Sequence, residues 1–268
     1  MKFNIAREQE LLTIIPQLIE RKLSAKEISQ ELNISRTTVH RYCVKLGINI
    51  PNHHNALKFN NTIFDSIDTE EKAYWLGFLF ADGGVSSTSN VITLSLKRDD
   101  LEHLEKFNAF VENKNPIRLY NVKLQDRKYP ACSINLCNAH FKNTLRSLGC
   151  IEQKSLKLEF PDISIFEDPK LVYDFIRGYV DGDGCLSFSR NGRLSLQILG
   201  TYNFLSGLKL HFPNSFGKVT KIKRLKTNTY TIQNTGKKAD EVASILYKNA
   251  KIYLTRKYNR FVVLGRNT

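Results

Sequence analysis

Two nine-residue stretches, Trp75–Gly83 (WLGFLFADG) and Ile176–Gly184 (IRGYVDGDG), stand in register and constrain what this chain can fold into. Gly77 pairs with Gly178, Asp82 with Asp183 and Gly83 with Gly184, each pair 101 residues apart. A repeat of that period, with one acid per copy at the end of an apolar run, predicts two similar half-domains that share a central pair of helices. Glycine inside a helix costs roughly 0.5–1 kcal/mol relative to alanine, a cost that is tolerable where two backbones must come close. Packing the helices at Gly77 and Gly178 would bring Asp82 and Asp183 together at their ends. The plain structural role for an aspartate before glycine is a helix cap or turn; repetition in a two-fold arrangement favours chemistry instead.

The first of these helices is expected to start at Asp68 with Glu71 three residues on, the second at Asp168–Pro169. After each helix the pattern changes to period two, the mark of half-buried antiparallel strands. Ile92, Leu94 and Leu96 alternate with Thr93, Ser95 and Lys97, and Cys132, Ile134 and Leu136 with Ser133 and Asn135. In the second half Leu186 and Phe188 flank Ser187 ahead of an Asn191–Gly192 turn, and Leu194, Leu196 and Ile198 alternate with Arg193, Ser195 and Gln197. Strands follow at 219–224, with Lys221 and Lys223, and at 229–233, with Thr231 and Gln233. Helices at 100–111, 139–148, 202–210 and 238–247 separate the hairpins. The fold class is therefore α+β, two pseudo-symmetric αββαββα halves over 63–160 and 161–268. The polar strand faces offer donors and acceptors suited to base edges in a major groove.

This order, and two D-G-ending nonamers in register, resemble the LAGLIDADG homing endonucleases in their single-chain, two-repeat form, over about residues 62–268. The resemblance implies a saddle of two four-stranded sheets across a DNA duplex, acting as a monomer with internal pseudo-twofold symmetry. It implies that Asp82 and Asp183, on the motif's eighth letter, bind Mg²⁺ or Mn²⁺ together with the backbone carbonyls of Ala81 and Gly182. Two nearby carboxylates are costly to ionise without cations between them, and such oxygen ligands suit Mg²⁺. Hydrolysis of both strands across the minor groove, leaving short 3′ overhangs, is the implied reaction. Lys154 and Lys257, 72 and 74 residues after their acids, resemble the family's peripheral active-site lysines. The sixth letter is Phe80 in one copy and Asp181 in the other, so Asp181 is read as structural.

Residues 1–47 form a separate helical module. Ser24 and Glu27 make a capping box, Ile28 and Leu32 lie one turn apart, Asn33 suits a left-handed turn, and Ser35 caps a helix with inner face Val39, Tyr42 and Leu46. This is a helix-turn-helix pattern, and it turns Arg36, Thr37, Thr38, His40 and Arg41 outward on the helix that would enter a major groove. Residues 48–62, rich in asparagine and containing Pro51, read as a linker. His53 and His54 lack a nearby third ligand.

The net charge of +14 points to a polyanion, and it is uneven: +4 over residues 1–60, zero over 61–160 and +10 over 161–268. Five cysteines without a C-x-x-C pair argue against a zinc site or disulfide framework and for a reducing, cytoplasmic setting. No signal-peptide core or membrane-length run is present. Double-stranded DNA is the expected partner. A non-cleaving DNA-binding regulator and an RNA splicing maturase are the alternatives, the latter disfavoured because A-form RNA hides its major groove. Arg266 before Asn267, and Met1 at the start, argue against an intein.

Overall fold

The computed structural model describes residues 5–21, 23–48, 59–222 and 229–266, and the chain divides into two compact units, Met1–Leu57 and Lys58–Thr268. The first unit holds α1 (Ile5–Glu20), α2 (Ala25–Glu31) and α3 (Arg36–Leu46) around Leu11, Ile15, Leu18, Ile28, Val39, Tyr42 and Cys43. Ser24 and Glu27 form the full capping box at the start of α2, Asn33 makes the turn at φ +50°, and Ser35 caps α3 through the Thr38 amide. Cys43, rather than the half-buried Leu46, completes the inner face of α3.

The second unit opens on α4 (Glu70–Asp82), which runs directly into β1 (Gly83–Val85); β2 (Val91–Lys97), α5 (Leu101–Phe110), β3 (Arg118–Leu124), β4 (Arg127–Cys137), α6 (Ala139–Ser147) and the single turn α7 (Lys154–Lys157) follow. The same order then repeats: α8 (Leu171–Asp183), β5 (Gly184–Phe188), β6 (Leu194–Gly200), α9 (Tyr202–Leu210), β7 (Thr220–Lys221), β8 (Tyr230–Thr235), α10 (Lys237–Tyr247) and α11 (Thr255–Arg266). Two antiparallel sheets result, ordered β1-β2-β4-β3 and β5-β6-β8-β7. Their inner faces, Ile92, Leu94, Leu96, Ile134 and Leu136 in one and Leu186, Leu194, Leu196, Ile198 and Ile232 in the other, join α4 and α8 in one continuous core.

α4 is capped by Thr69, whose hydroxyl accepts from the Lys72 amide, while Asp68 instead binds the Lys72 ammonium. α8 has Lys170 as its N-cap with no side-chain cap, and Asp168 shapes only the turn before it, accepting from the Lys170 amide at 2.9 Å. The halves brace each other with buried polar groups. Arg177, 3% exposed, donates to Glu70 on α4, to Asp174, and to the carbonyls of Leu246 and Ile252. Arg256 grips the buried Asp100 at 3.1 Å to both oxygens, and the Thr201 hydroxyl donates to the Leu158 carbonyl. Among the described residues no helix is long and apolar enough to cross a membrane.

Candidate active site and nucleic-acid interface

The centre of the second unit is the α4–α8 crossing, and glycine alone permits it. A Cβ on Gly77 would sit 1.9 Å from the Phe175 carbonyl oxygen, and one on Gly178 would sit 1.9 Å from the Tyr74 carbonyl oxygen. Phe175 lies 101 residues after Tyr74, so the crossing obeys the internal two-fold. Below it both helices end in the acids, and the next glycines, Gly83 and Gly184, leave in extended conformation while returning their amides to Leu79 and Val180.

The two helix ends touch. A Cβ on Gly182 would lie 2.3 Å from the Ala81 Cβ and 3.2 Å from an Asp82 carboxylate oxygen. Asp82 is half-buried and Asp183 faces solvent. Burial raises the Asp82 carboxyl, opposed by Lys154 and Lys257. Asp183 is pushed up to about 6, first by desolvation and then by the charge of Asp82. The charge of Asp82 thus disfavours ionisation of Asp183, and burial disfavours that of Asp82, the condition under which a divalent cation is welcome. Among the described residues no set of three or more His, Cys, Asp or Glu side chains converges to hold a metal. The donors here are two carboxylates and backbone carbonyls, a hard oxygen set that leaves positions for water and phosphate and so fits Mg²⁺.

Neither lysine is a solvated surface group. Lys154 donates to the Leu79 carbonyl at 2.9 Å. Lys257, 3% exposed, faces four carbonyls at the end of α8: Val180 at 2.7 Å, Asp181 at 2.6 Å, Gly182 at 3.2 Å and Gly184 at 2.6 Å. Leu79 and Val180 are repeat partners, 101 residues apart, so both lysines neutralise the negative end of a helix dipole. Burial pulls the Lys257 ammonium down to about 8, with Asp181 opposing. With three protons and four acceptors, Lys257 is committed to holding this turn. Asp181 is fully buried and accepts from Tyr74 at 2.7 Å, Tyr247 at 2.6 Å and the Leu254 amide at 2.7 Å. Its role is to tie α8 to the 247–254 segment. Tyr74 spends its proton on Asp181, so His103 donates to the Tyr74 oxygen through Nε2; burial, which pulls His103 down to about 3, keeps that ring neutral.

A cavity of about 210 Å³ opens beside Asp183, with Ala81 and Lys154 from one half and Tyr179, Leu199 and Thr201 from the other on its wall. Tyr179, which donates to the Leu199 carbonyl at 2.9 Å, stands where the first copy has Phe78. Nothing in the sequence marks it apart from that repeat offset.

On the sheets, register decides which side chains share a face. Thr93, Ser95 and Lys97 pair with Asn135, Ser133 and Ala131, and all lie on the face away from the core. Ser133 is covered there, 6% exposed, and Lys97 binds Asp99 at 3.2 Å. In the second sheet Ser187, Ser195, Gln197, Thr231 and Gln233 share the outer face, with Gln233 donating to Ser195 at 3.1 Å and Arg193 exposed beyond the β5–β6 turn. Lys221 does not join them. It pairs with Tyr230 and so lies on the opposite face, and Thr220, opposite Thr231, takes the outer position. Lys223, His53 and His54, and the linker at 49–58, lie outside the described residues. β3 brings residues that alternation alone misses: Arg118 and Tyr120 pair with Ser133 and Ala131 and extend the outer face. In the first unit Arg36, Thr37, His40 and Arg41 are exposed on α3. Thr38 is half-buried, its hydroxyl 2.8 Å from that of Ser35, so it serves the helix cap.

Comparison with known proteins agrees with both units. A model described as an HTH domain matches residues 10–47. No curated protein matches the chain in sequence. Among solved structures the chain is similar to the homing endonuclease I-WcaI bound to its DNA recognition sequence, with TM-score 0.53 and 14% identity over 72% of this chain and 87% of that one. It is also similar to the LAGLIDADG homing endonuclease I-LtrWI bound to target DNA, with TM-score 0.47 and 11% identity over 74% and 91%. Identities this low speak for architecture alone, and the second unit, with its twin helices ending in Asp82 and Asp183, has the fold of the homing endonuclease I-WcaI.

Proposed function

We propose that the chain is a site-specific double-stranded DNA endonuclease. The observation that carries this is the pair Asp82 and Asp183, with the charge of Asp82 raising Asp183, at the touching ends of two helices that each run into a sheet whose outer face is polar. Asp82, Asp183 and the carbonyls of Ala81 and Gly182 would hold Mg²⁺. When bound, the ion supplies an activated water and charge neutralisation for in-line displacement at phosphorus. The chain's own residues do the positioning. Gly77 and Gly178 set the helix spacing, Lys257 and Lys154 fix the last turns, and Asp181 anchors α8. Both acids lie on one pseudo-two-fold, so each strand meets an equivalent end, consistent with cutting across the minor groove to leave short 3′ overhangs. The monomer supplies both halves.

The first unit adds contacts through Arg36, Thr37, His40 and Arg41 in a major groove. Domain limits of 1–47, 63–160 and 161–268 follow from this reading. A non-cleaving regulator is the second reading, favoured by the HTH domain match. Incubating purified protein and Mg²⁺ with a randomised duplex library separates the two: recovery of discretely cut sites is expected, and protected but intact duplexes would overturn cleavage in favour of regulation.

A further inference from the structure

Arg118 opens the edge strand β3 opposite Ser133, which in turn pairs with Ser95. Two residues on, Tyr120 sits opposite Ala131, yet its hydroxyl reaches the Ser95 hydroxyl at 3.4 Å. The phenol must therefore lie across β4 from one neighbouring strand to the other. That explains why Ala131 and Ser133, which lie on the face away from the core, are only 7% and 6% exposed. The Arg118 guanidinium stands 5.4 Å from the centre of this ring, within cation–π range. The ring is thus a platform on the sheet, with the guanidinium over it.

The guanidinium is also uncommitted. Among the described residues Arg118 enters no ion pair and no side-chain hydrogen bond, whereas Lys97 on the same face is held by Asp99. The strand positions that share this face, 91 to 97 in β2, 118 to 124 in β3 and 127 to 137 in β4, include no aspartate or glutamate among their outward residues. A planar fork of donors, pre-stacked and without an acid, matches the O6 and N7 acceptors that guanine presents in the major groove.

We propose that Arg118, oriented by Tyr120, reads one guanine in the DNA site through paired hydrogen bonds from its guanidinium. This rests on the endonuclease reading above, because it takes the outer sheet face as the DNA face. The test is binding selection from a randomised duplex library, run without divalent metal, with the full-length wild type, Arg118→Ala, Arg118→Lys and Tyr120→Leu. A bidentate guanine contact discriminates by about tenfold to hundredfold. Wild type is expected to enrich guanine by that margin at one position, Arg118→Ala and Arg118→Lys to lose the enrichment there and nowhere else, and Tyr120→Leu to weaken it severalfold. Arg118→Lys keeps the charge, so its overall affinity stays near wild type. Arg118 is exposed, and unchanged thermal unfolding of its two variants confirms that the fold is intact. Guanine enrichment that survives Arg118→Ala would overturn the assignment while leaving the endonuclease reading in place. So would an equal loss of affinity for all sequences, with a salt slope smaller by about one, the mark of a phosphate contact. Wild type that selects no sequence would overturn both.

Discussion

At the scale of single residues, the two acids were legible because the repeat isolates them, but their neighbours were not. Lys257 shows up in sequence only as a lysine at a repeat-like offset; its four carbonyl partners come from the end of α8, 73 to 77 residues away in the chain. Thr38 looks like an outward recognition residue until its hydroxyl is found on the Ser35 cap. The electrostatics give a sign that can be checked. An acid whose folded pKa lies above its ordinary 3.8 destabilises the fold as pH rises from about 4 through 6. Asp183→Asn should then raise the melting temperature of metal-free protein at pH 7 and have little effect at pH 4. Scanning calorimetry at the two pH values tests this, and an effect that is larger at pH 4 would contradict it. Adding Mg²⁺ at pH 7 should stabilise wild type and leave the Asp183→Asn, Asp82→Asn double variant unmoved, since ligand that binds only the folded state stabilises it.

At the scale of elements, helices α5, α6, α9 and α10 were legible to within about two residues, because each has one apolar face and a clear flank. The strands of the inner hairpins were legible for the same reason, through strict alternation over a buried face. β3 was not, because its residues RLYNVKL lie almost entirely exposed and carry apolar groups on both sides. The face of Lys221 is illegible for a related reason: a slip of one residue moves a side chain to the other face, and a two-residue edge strand offers no pattern to fix its register. The glycine pair is where element packing is most exposed to test. A methyl at Gly77 or Gly178 meets a backbone carbonyl, which cannot move without separating α4 and α8. Gly77→Ala and Gly178→Ala should each destabilise by about 3 kcal/mol or more in chemical denaturation, at the upper end of overpacking costs. The two costs should be similar, because the clashes are related by the repeat; one neutral substitution would show that the crossing is looser than described.

For the whole molecule, the repeat predicted two matched halves, and the two sheets with their shared order bear this out. What the repeat conceals is asymmetry. The buried polar network of Asp181, Arg177, Tyr247 and, from α4, Tyr74 is centred on an acid and an arginine of the second copy, where the first has Phe80 and Leu76. The charge is asymmetric too, with +10 on the second half. DNA affinity should therefore fall steeply with salt, and Arg36→Ala with Arg41→Ala in the full chain should reduce the slope of log K against log salt by up to about two. A fluorescence titration between about 50 and 200 mM salt measures it. An unchanged slope would remove α3 from the interface.

Whether Asp82 and Asp183 together form one cutting centre is measured most directly by cleavage of a selected duplex with purified wild type, Asp82→Asn, Asp183→Asn and the double variant. Wild type should cut both strands in Mg²⁺, each single variant should lose double-strand cleavage while binding the duplex within a few-fold of wild type, and the double variant should cut neither strand. A double variant that still cuts both strands would contradict the account.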